Sequence, residues 1–142
     1  MVHHTDFGTI TLLANIIGGL QILPPGASAL DESAWRWVRP QPGCLIVNLG
    51  DATVQWSGGL LRSNVHRIKY PPGDQRFVDR YSLATLFRPE RNVSMKPKLN
   101  AGAGIVEDTD LSAWEWEVKK TMALVRGEAV MESKGGKPVT AA

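Results

Sequence analysis

A single cysteine, Cys44, excludes an intrachain disulfide and suits a reducing compartment. No uninterrupted apolar run is long enough to span a bilayer. The N-terminus carries His3, His4 and Asp6 where a secretory leader would have its apolar stretch. Neither sign of charge dominates: sixteen basic and fourteen acidic side chains leave a formal charge of +2. They are scattered, which argues against nucleic acid or an anionic membrane as partner. No internal repeat is present. With those classes set aside, the expectation is a soluble, cytoplasmic protein. Its 142 residues make one domain able to bury a reasonable core.

What is present is a succession of short apolar runs cut by turn residues. Ile10 to Leu13 and Ile16-Ile17 are followed by Gly18-Gly19 and then Leu20 to Leu23, which reads as a hairpin. Ala34 to Val38, Cys44 to Leu49, Thr53 to Trp56, Leu60 to Tyr70 and Phe77 to Phe87 read as further strands. Pro24-Pro25-Gly26, Pro40 to Gly43, Gly58-Gly59 and Pro71 to Asp74 punctuate them. So many short strands indicate an all-β sandwich or barrel. After Pro97 the character changes. Asn100 to Gly104 reads as a flexible loop. Ser112 and Glu115 form a capping box, Trp114, Val118, Met122 and Val125 recur at helical spacing, and Gly127 stands where a helix ends. The organisation expected is a β core over 1–99, a loop and one C-terminal helix packed on it over 100–130, and a disordered tail over 131–142.

Three short pieces carry chemistry. In a strand, side chains at i and i+2 share a face, so His4 and Asp6 can reach one ion while His3 and Thr5 point away. The tripeptide alone carries little weight, because such patterns arise by chance and a solvated strand end explains it as well. His66 alone reads equally as a satisfied core or surface histidine. Together, two imidazoles and one carboxylate can hold one face of a divalent metal and leave the other open. Arg80 and Ser82 lie two residues apart on an expected strand. A surface salt bridge to Asp79 or Glu90 would explain Arg80. A carboxylate-bearing co-substrate explains both residues, with the guanidinium as a bidentate donor and the hydroxyl as a further one. If Pro71 to Asp74 closes a hairpin, His66 and Arg80 sit on antiparallel neighbours and face one interior.

In order along the chain, these pieces and their surroundings resemble the iron(II)- and 2-oxoglutarate-dependent oxygenases of the isopenicillin N synthase-like family. His4-Thr5-Asp6-Phe7-Gly8 resembles the iron-binding strand. Gly18-Gly19-Leu20-Gln21 resembles the hairpin after it. Trp37 through Pro42-Gly43 to Val47-Asn48-Leu49-Gly50-Asp51 matches a family stretch. Leu61-Arg62-Ser63-Asn64-Val65-His66-Arg67 resembles the distal-ligand strand, and Arg80-Tyr81-Ser82 the R-x-S motif. The match covers roughly residues 3 to 92.

The resemblance implies a mainly-β fold: a partial double-stranded β-helix (jelly-roll) with one C-terminal α-helix. It implies Fe(II) held by His4, Asp6 and His66, and 2-oxoglutarate held at its far carboxylate by Arg80 and Ser82. It further implies O2 as oxidant, stimulation by ascorbate, and hydroxylation or desaturation of a small organic substrate with release of succinate and CO2. Family members carry a substantial region before the first ligand, and here that ligand is residue 4. The chain is therefore expected to be the C-terminal portion of such an enzyme, N-terminally truncated, with a strand edge open to self-association. A non-catalytic truncated paralogue and a cupin-like metal-binding jelly-roll module stand as the alternatives.

Overall fold

The computed structural model describes residues 3–99, 106–129 and 132–136. Among these, six strands form two three-stranded antiparallel sheets. In one, β1 (Ile10–Asn15) lies between β4 (Ile46–Leu49) and β6 (Ser82–Phe87). In the other, β2 (Leu20–Ile22) lies between β3 (Arg36–Trp37) and β5 (His66–Ile68). Thr11, Leu13 and Ala84 of the first sheet and Leu20, Ile22 and Ile68 of the second line one cavity. The sheets therefore face each other, in the jelly-roll arrangement expected. Two helices accompany them, α1 (Asp51–Trp56) and α2 (Ala113–Val125).

The expected hairpins do not form. β1 and β2, joined through Gly18-Gly19, belong to opposite sheets, and so do β5 and β6 on either side of Pro71 to Asp74. Turn residues mark where a chain reverses. Whether it reverses within a sheet or crosses to the facing one depends on which strand supplies the hydrogen bonds. Gly19 has φ +109, and a Cβ there would come within 2.8 Å of the Lys69 carbonyl oxygen. That close approach, not a two-residue hairpin, requires the glycine.

Thr53 to Trp56 is helical, not extended. Its β-branched residues favour a strand only weakly. Gly50 and the first-turn Asp51 begin a helix whose leading amides find acceptors in the segment before β1: Asp51 N donates to Asp6 O (2.8 Å) and Ala52 N to Gly8 O (3.1 Å). Leu60 to Tyr70 contributes a ladder strand only at His66–Ile68. Phe77 to Phe87 does so only from Ser82, because Gly73–Phe77 is a 3-10 turn.

α2 forms as its caps predict. The Ser112 hydroxyl accepts from Glu115 N, and the Glu115 carboxylate accepts from Ser112 N in return. Gly127, with φ +70, follows the C-cap. Its orientation differs from the apolar stripe read in the sequence. Trp114, Val118, Met122 and Val125 are exposed, and Ala113 and Trp116 are buried against Ala52 and Met95. A second cluster joins Leu23, Trp35 and Val65. The Asn100 to Gly104 loop lies outside the described residues, as do 131 and 137–142 of the expected tail. Residues 132–136 are ordered against the segment leading to β5: Ser63 N donates to Lys134 O, Val65 N to Ser133 Oγ, and Gly135 bridges Arg62. Among the described residues no helix is long and apolar enough to cross a membrane.

Met95 is fully buried where α1, α2 and the chain between them meet. Met95→Ala is expected to cost about 2–5 kcal/mol of stability, the usual cost of emptying such a site. Urea unfolding followed by circular dichroism checks it through a lower midpoint at unchanged slope.

Candidate functional site

Three residues from two distant stretches converge in the wall of the cavity between the sheets. His4 pairs with His66 through two backbone hydrogen bonds, His4 N to His66 O (3.0 Å) and His66 N to His4 O (2.9 Å). That bridge puts the two imidazoles side by side, with ring centroids 4.4 Å apart. Asp6 shares the face of His4, and its Oδ1 lies 3.9 Å from His4 Nε2 and 3.7 Å from His66 Nε2. One ligand atom from each of the three lies within 4.8 Å of the others. Two donors each about 2.1 Å from one ion are at most about 4.2 Å apart, so both carboxylate–imidazole distances suit a shared divalent metal. Thr5 points the opposite way and is buried, donating to Asp51 Oδ2 at 3.2 Å. His3 faces the Trp35 ring, with centroids 6.0 Å apart.

The protonation states fit the same use. Burial opposes the Asp6 charge, but hydrogen bonds from Asn48 and Thr11 and the two neighbouring imidazoles outweigh it, so the carboxyl sits below its ordinary range. Thr11 Oγ1 and Asn48 Nδ2 both donate to Asp6 Oδ2, at 2.6 and 2.7 Å, which leaves Oδ1 toward the histidines. Burial pushes the His66 imidazole below its ordinary value, against the Asn64 carbonyl and Asp6. His66 Nδ1 lies 3.2 Å from the Asn64 carbonyl oxygen. A carbonyl only accepts, so Nδ1 carries the proton and the Nε2 lone pair faces Asp6 and the cavity.

Arg80 and Ser82 line the same cavity, of about 630 Å³, as the triad. Arg80 Nε donates to the Gly18 carbonyl at 2.7 Å and Nη1 to Ser82 Oγ at 3.4 Å. Its Nη2 is buried and makes no hydrogen bond among the described residues. No acidic side chain among them is seen to pair with it, so the salt bridge to Asp79 or Glu90 does not account for this arginine. A buried guanidinium nitrogen without an acceptor is costly, and an anion in the cavity would supply one. His66 and Arg80 therefore do face one interior, but across facing sheets and not as neighbours in one sheet.

The roles of the residues that hold the key side chains were not read from the sequence. Thr11 and Asn48 aim Asp6, and Gly18 and Gly19 seat Arg80: a Cβ on Gly19 would stand 3.2 Å from Arg80 Nε. Asn48 lies inside the Val47 to Asp51 motif, so the motif carried the signal without the role.

Comparisons with known proteins bear on the family of the chain. A sequence model of the 2OG-Fe(II) oxygenase superfamily matches residues 1–89. A 2-oxoglutarate-dependent dioxygenase of Aspergillus fumigatus is 39% identical over 106 residues, covering 66% of this chain and 28% of its own length. The 2-oxoglutarate-dependent dioxygenase iboH of Amanita muscaria is 38% identical over 121 residues, covering 82% of this chain and 52% of its own. Among solved structures, a full-length Neurospora crassa protein in complex with alpha-KG and 5-formyluracil superposes with TM-score 0.69 at 27% identity, covering 86% of this chain and 39% of that one. A 2OG-Fe(II) oxygenase family protein from Caulobacter crescentus superposes with TM-score 0.69 at 29% identity, covering 87% and 40%. This chain thus spans between about a quarter and a half of the length of these relatives. With the match covering more than half of its residues, the chain belongs to the 2OG-Fe(II) oxygenase superfamily.

Proposed function

We propose that this chain carries the metal and co-substrate half of an Fe(II)- and 2-oxoglutarate-dependent oxygenase, in which His4, Asp6 and His66 hold Fe(II) and Arg80 with Ser82 holds the far carboxylate of 2-oxoglutarate. The observation that carries the reading is the buried, hydrogen-bond-deficient Nη2 of Arg80 in the same cavity as the triad. The residues fit both groups. Two imidazole nitrogens and one carboxylate oxygen suit a borderline divalent ion, and one protein face leaves positions for other ligands. A guanidinium fork beside a hydroxyl suits a carboxylate.

Each side chain has a defined task. Asn48 and Thr11 keep Asp6 ionised and fix which oxygen faces the ion. The Asn64 carbonyl fixes the His66 tautomer. The Gly18 carbonyl fixes Nε of Arg80 and leaves Nη2 to bind. Apolar side chains such as Leu13, Ile22, Ile46 and Ile68 line the cavity around these polar groups. The bound ferrous ion, with 2-oxoglutarate and O2, would supply oxidative decarboxylation to succinate and CO2 coupled to oxidation of a small organic substrate. Ascorbate, as a reductant, would keep the ion ferrous, and a cytoplasmic setting suits the same need.

One observation favours a non-catalytic metal-binding module. β6, which carries Ser82, forms a sheet edge and is exposed along its whole length. An exposed edge offers backbone groups and Leu83 and Phe87 to a second copy. Sedimentation of the isolated chain measures that self-association. Turnover decides between the two readings: succinate formed from 2-oxoglutarate with Fe(II), ascorbate and O2 supports the oxygenase, and metal binding without any succinate supports the module.

Anaerobic Fe(II) titration is expected to lose most binding in His4→Ala, Asp6→Ala or His66→Ala and to be unchanged in His3→Ala. Equal losses at His3 and His4 would place the ligand on the other face. In calorimetric titration of the metal-loaded protein, Arg80→Ala should weaken 2-oxoglutarate by about 2–5 kcal/mol, the cost of truncating one partner of a buried charge pair. Ser82→Ala should cost less, about 1–3 kcal/mol, as a hydrogen bond to a charged group. Unchanged affinity in Arg80→Ala would remove the co-substrate from this site.

A further inference from the structure

Behind the candidate metal ligands, on the side of the segment away from the cavity, lies a second buried charge cluster. The Asp51 side chain is 2% exposed. Its Oδ2 accepts from the Thr5 hydroxyl and from the Lys120 ammonium, and its Oδ1 makes no hydrogen bond among the described residues. A carboxylate this deeply buried is tolerated only with a counter-charge. Lys120 supplies it from the packed face of α2, where it follows Ala113 and Trp116 at helical spacing. Its ammonium also lies 4.5 Å from the Trp116 ring and 5.2 Å from the Phe7 ring. Burial pushes the Lys120 pKa below its ordinary value against the pull of Asp51, and Lys134 adds a like charge nearby.

The cluster touches the ligand segment through its backbone carbonyls and through the Thr5 side chain. Asp51 N donates to the Asp6 carbonyl (2.8 Å), Ala52 N to those of Phe7 and Gly8 (3.2 and 3.1 Å), and Gly50 N to that of Thr9 (2.9 Å). Thr5, between the two ligands, is tied to the Asp51 carboxylate. The fit has no slack: a Cβ on Gly50 would come within 2.2 Å of the Gly8 carbonyl oxygen. The start of α1 thus backs the segment that carries His4 and Asp6, and the Asp51–Lys120 pair ties that start to α2.

We propose that Lys120 is a positioning residue for the metal site: by neutralising Asp51 it seats the start of α1 against residues 4–9 and so fixes the spacing of His4 and Asp6. The proposal rests on the reading of His4, Asp6 and His66 as metal ligands. Lys120 touches neither metal nor ligand and acts only through Asp51. In Lys120→Met the stem still packs on Trp116 but the buried carboxylate is left without its cation, and it will turn toward water and carry α1 with it.

The test is anaerobic Co(II) titration of the full chain, read by the visible absorption of the bound ion, with a thermal melt of each variant. Lys120→Met is expected to weaken Co(II) about tenfold, the low end of the cost of removing support behind a metal ligand, and to alter the absorption band even at saturating metal. Lys120→Arg should restore both. The double variant Asp51→Asn/Lys120→Met, with both charges removed, should recover most of the affinity. Glu117→Ala, which breaks an ion pair of α2 with Arg88, should leave Co(II) affinity and spectrum unchanged. If Lys120→Met does not fold, Lys120→Gln, which keeps a donor but no charge, takes its place. A lower melting temperature with wild-type affinity and spectrum would overturn the proposal, since α2 would then be docked without tuning the site. Equal weakening in the single and double variants would also overturn it, by tracing the loss to packing and not to charge. Wild-type protein that binds no Co(II) would overturn the ligand assignment beneath it; normal wild-type binding with unaffected Lys120 variants would overturn this inference alone.

Discussion

An ionised carboxylate inside a mainly apolar cavity is the constraint on which the rest of the structure depends. Burial works against the Asp6 charge, and the hydrogen bonds from Asn48 and Thr11, with the two neighbouring imidazoles, outweigh it. The two donors come from neighbouring strands, and in the register of β1 with β4 they are direct partners, Thr11 opposite Asn48. A slip of one residue would turn one donor to the outer face of the sheet. Sheet register, an extended property of the backbone, is thereby tied to the charge state of a single side chain.

The same logic places Arg80. Arg80 leads into the edge strand β6, and its stem passes over Gly19, where a side chain would collide with it. The Gly18 carbonyl takes one guanidinium nitrogen, so the fork is oriented before any ligand arrives. Leu13, Ile22, Ile46 and Ile68 line the same cavity, so its polar groups are set among aliphatic side chains. The walls come from facing sheets, and neither sheet holds a complete site by itself: His66 belongs to one, while Thr11, Asn48 and Ser82 belong to the other.

Support of the ligand segment is divided between two kinds of contact. On the cavity side, His4 is tied to His66 by a pair of backbone hydrogen bonds. On the far side, the amides that open α1 take the carbonyls of residues 6 to 9, and a buried ion pair ties that helix to α2. The C-terminal segment adds a third tie, since Lys134 and Ser133 receive the amides of Ser63 and Val65 just before β5. A stretch that composition marks as a loose tail thus braces the approach to the distal histidine.

The sequence by itself determined what depends on short spacing. His4 and Asp6 share a face because extended backbone alternates, whatever it pairs with. Arg80 and Ser82 come together for the same reason. α2 starts at Ser112 and stops before Gly127 because its caps are local hydrogen bonds and a local φ. Tertiary structure alone decided what depends on distant partners. The turn glycines could not say that β1 and β2 separate into facing sheets, because strand partners lie far along the chain. Thr53 and Val54 suited a strand until the carbonyls of residues 6 to 8 offered the amides of α1 their acceptors. The stripe Trp114, Val118, Met122, Val125 revealed a helix but not its buried face, because that face carries Lys120, whose charge is acceptable there only beside Asp51. Asn48 acquired its role from Asp6, 42 positions away, and a contact at that range exists only once β4 has paired with β1.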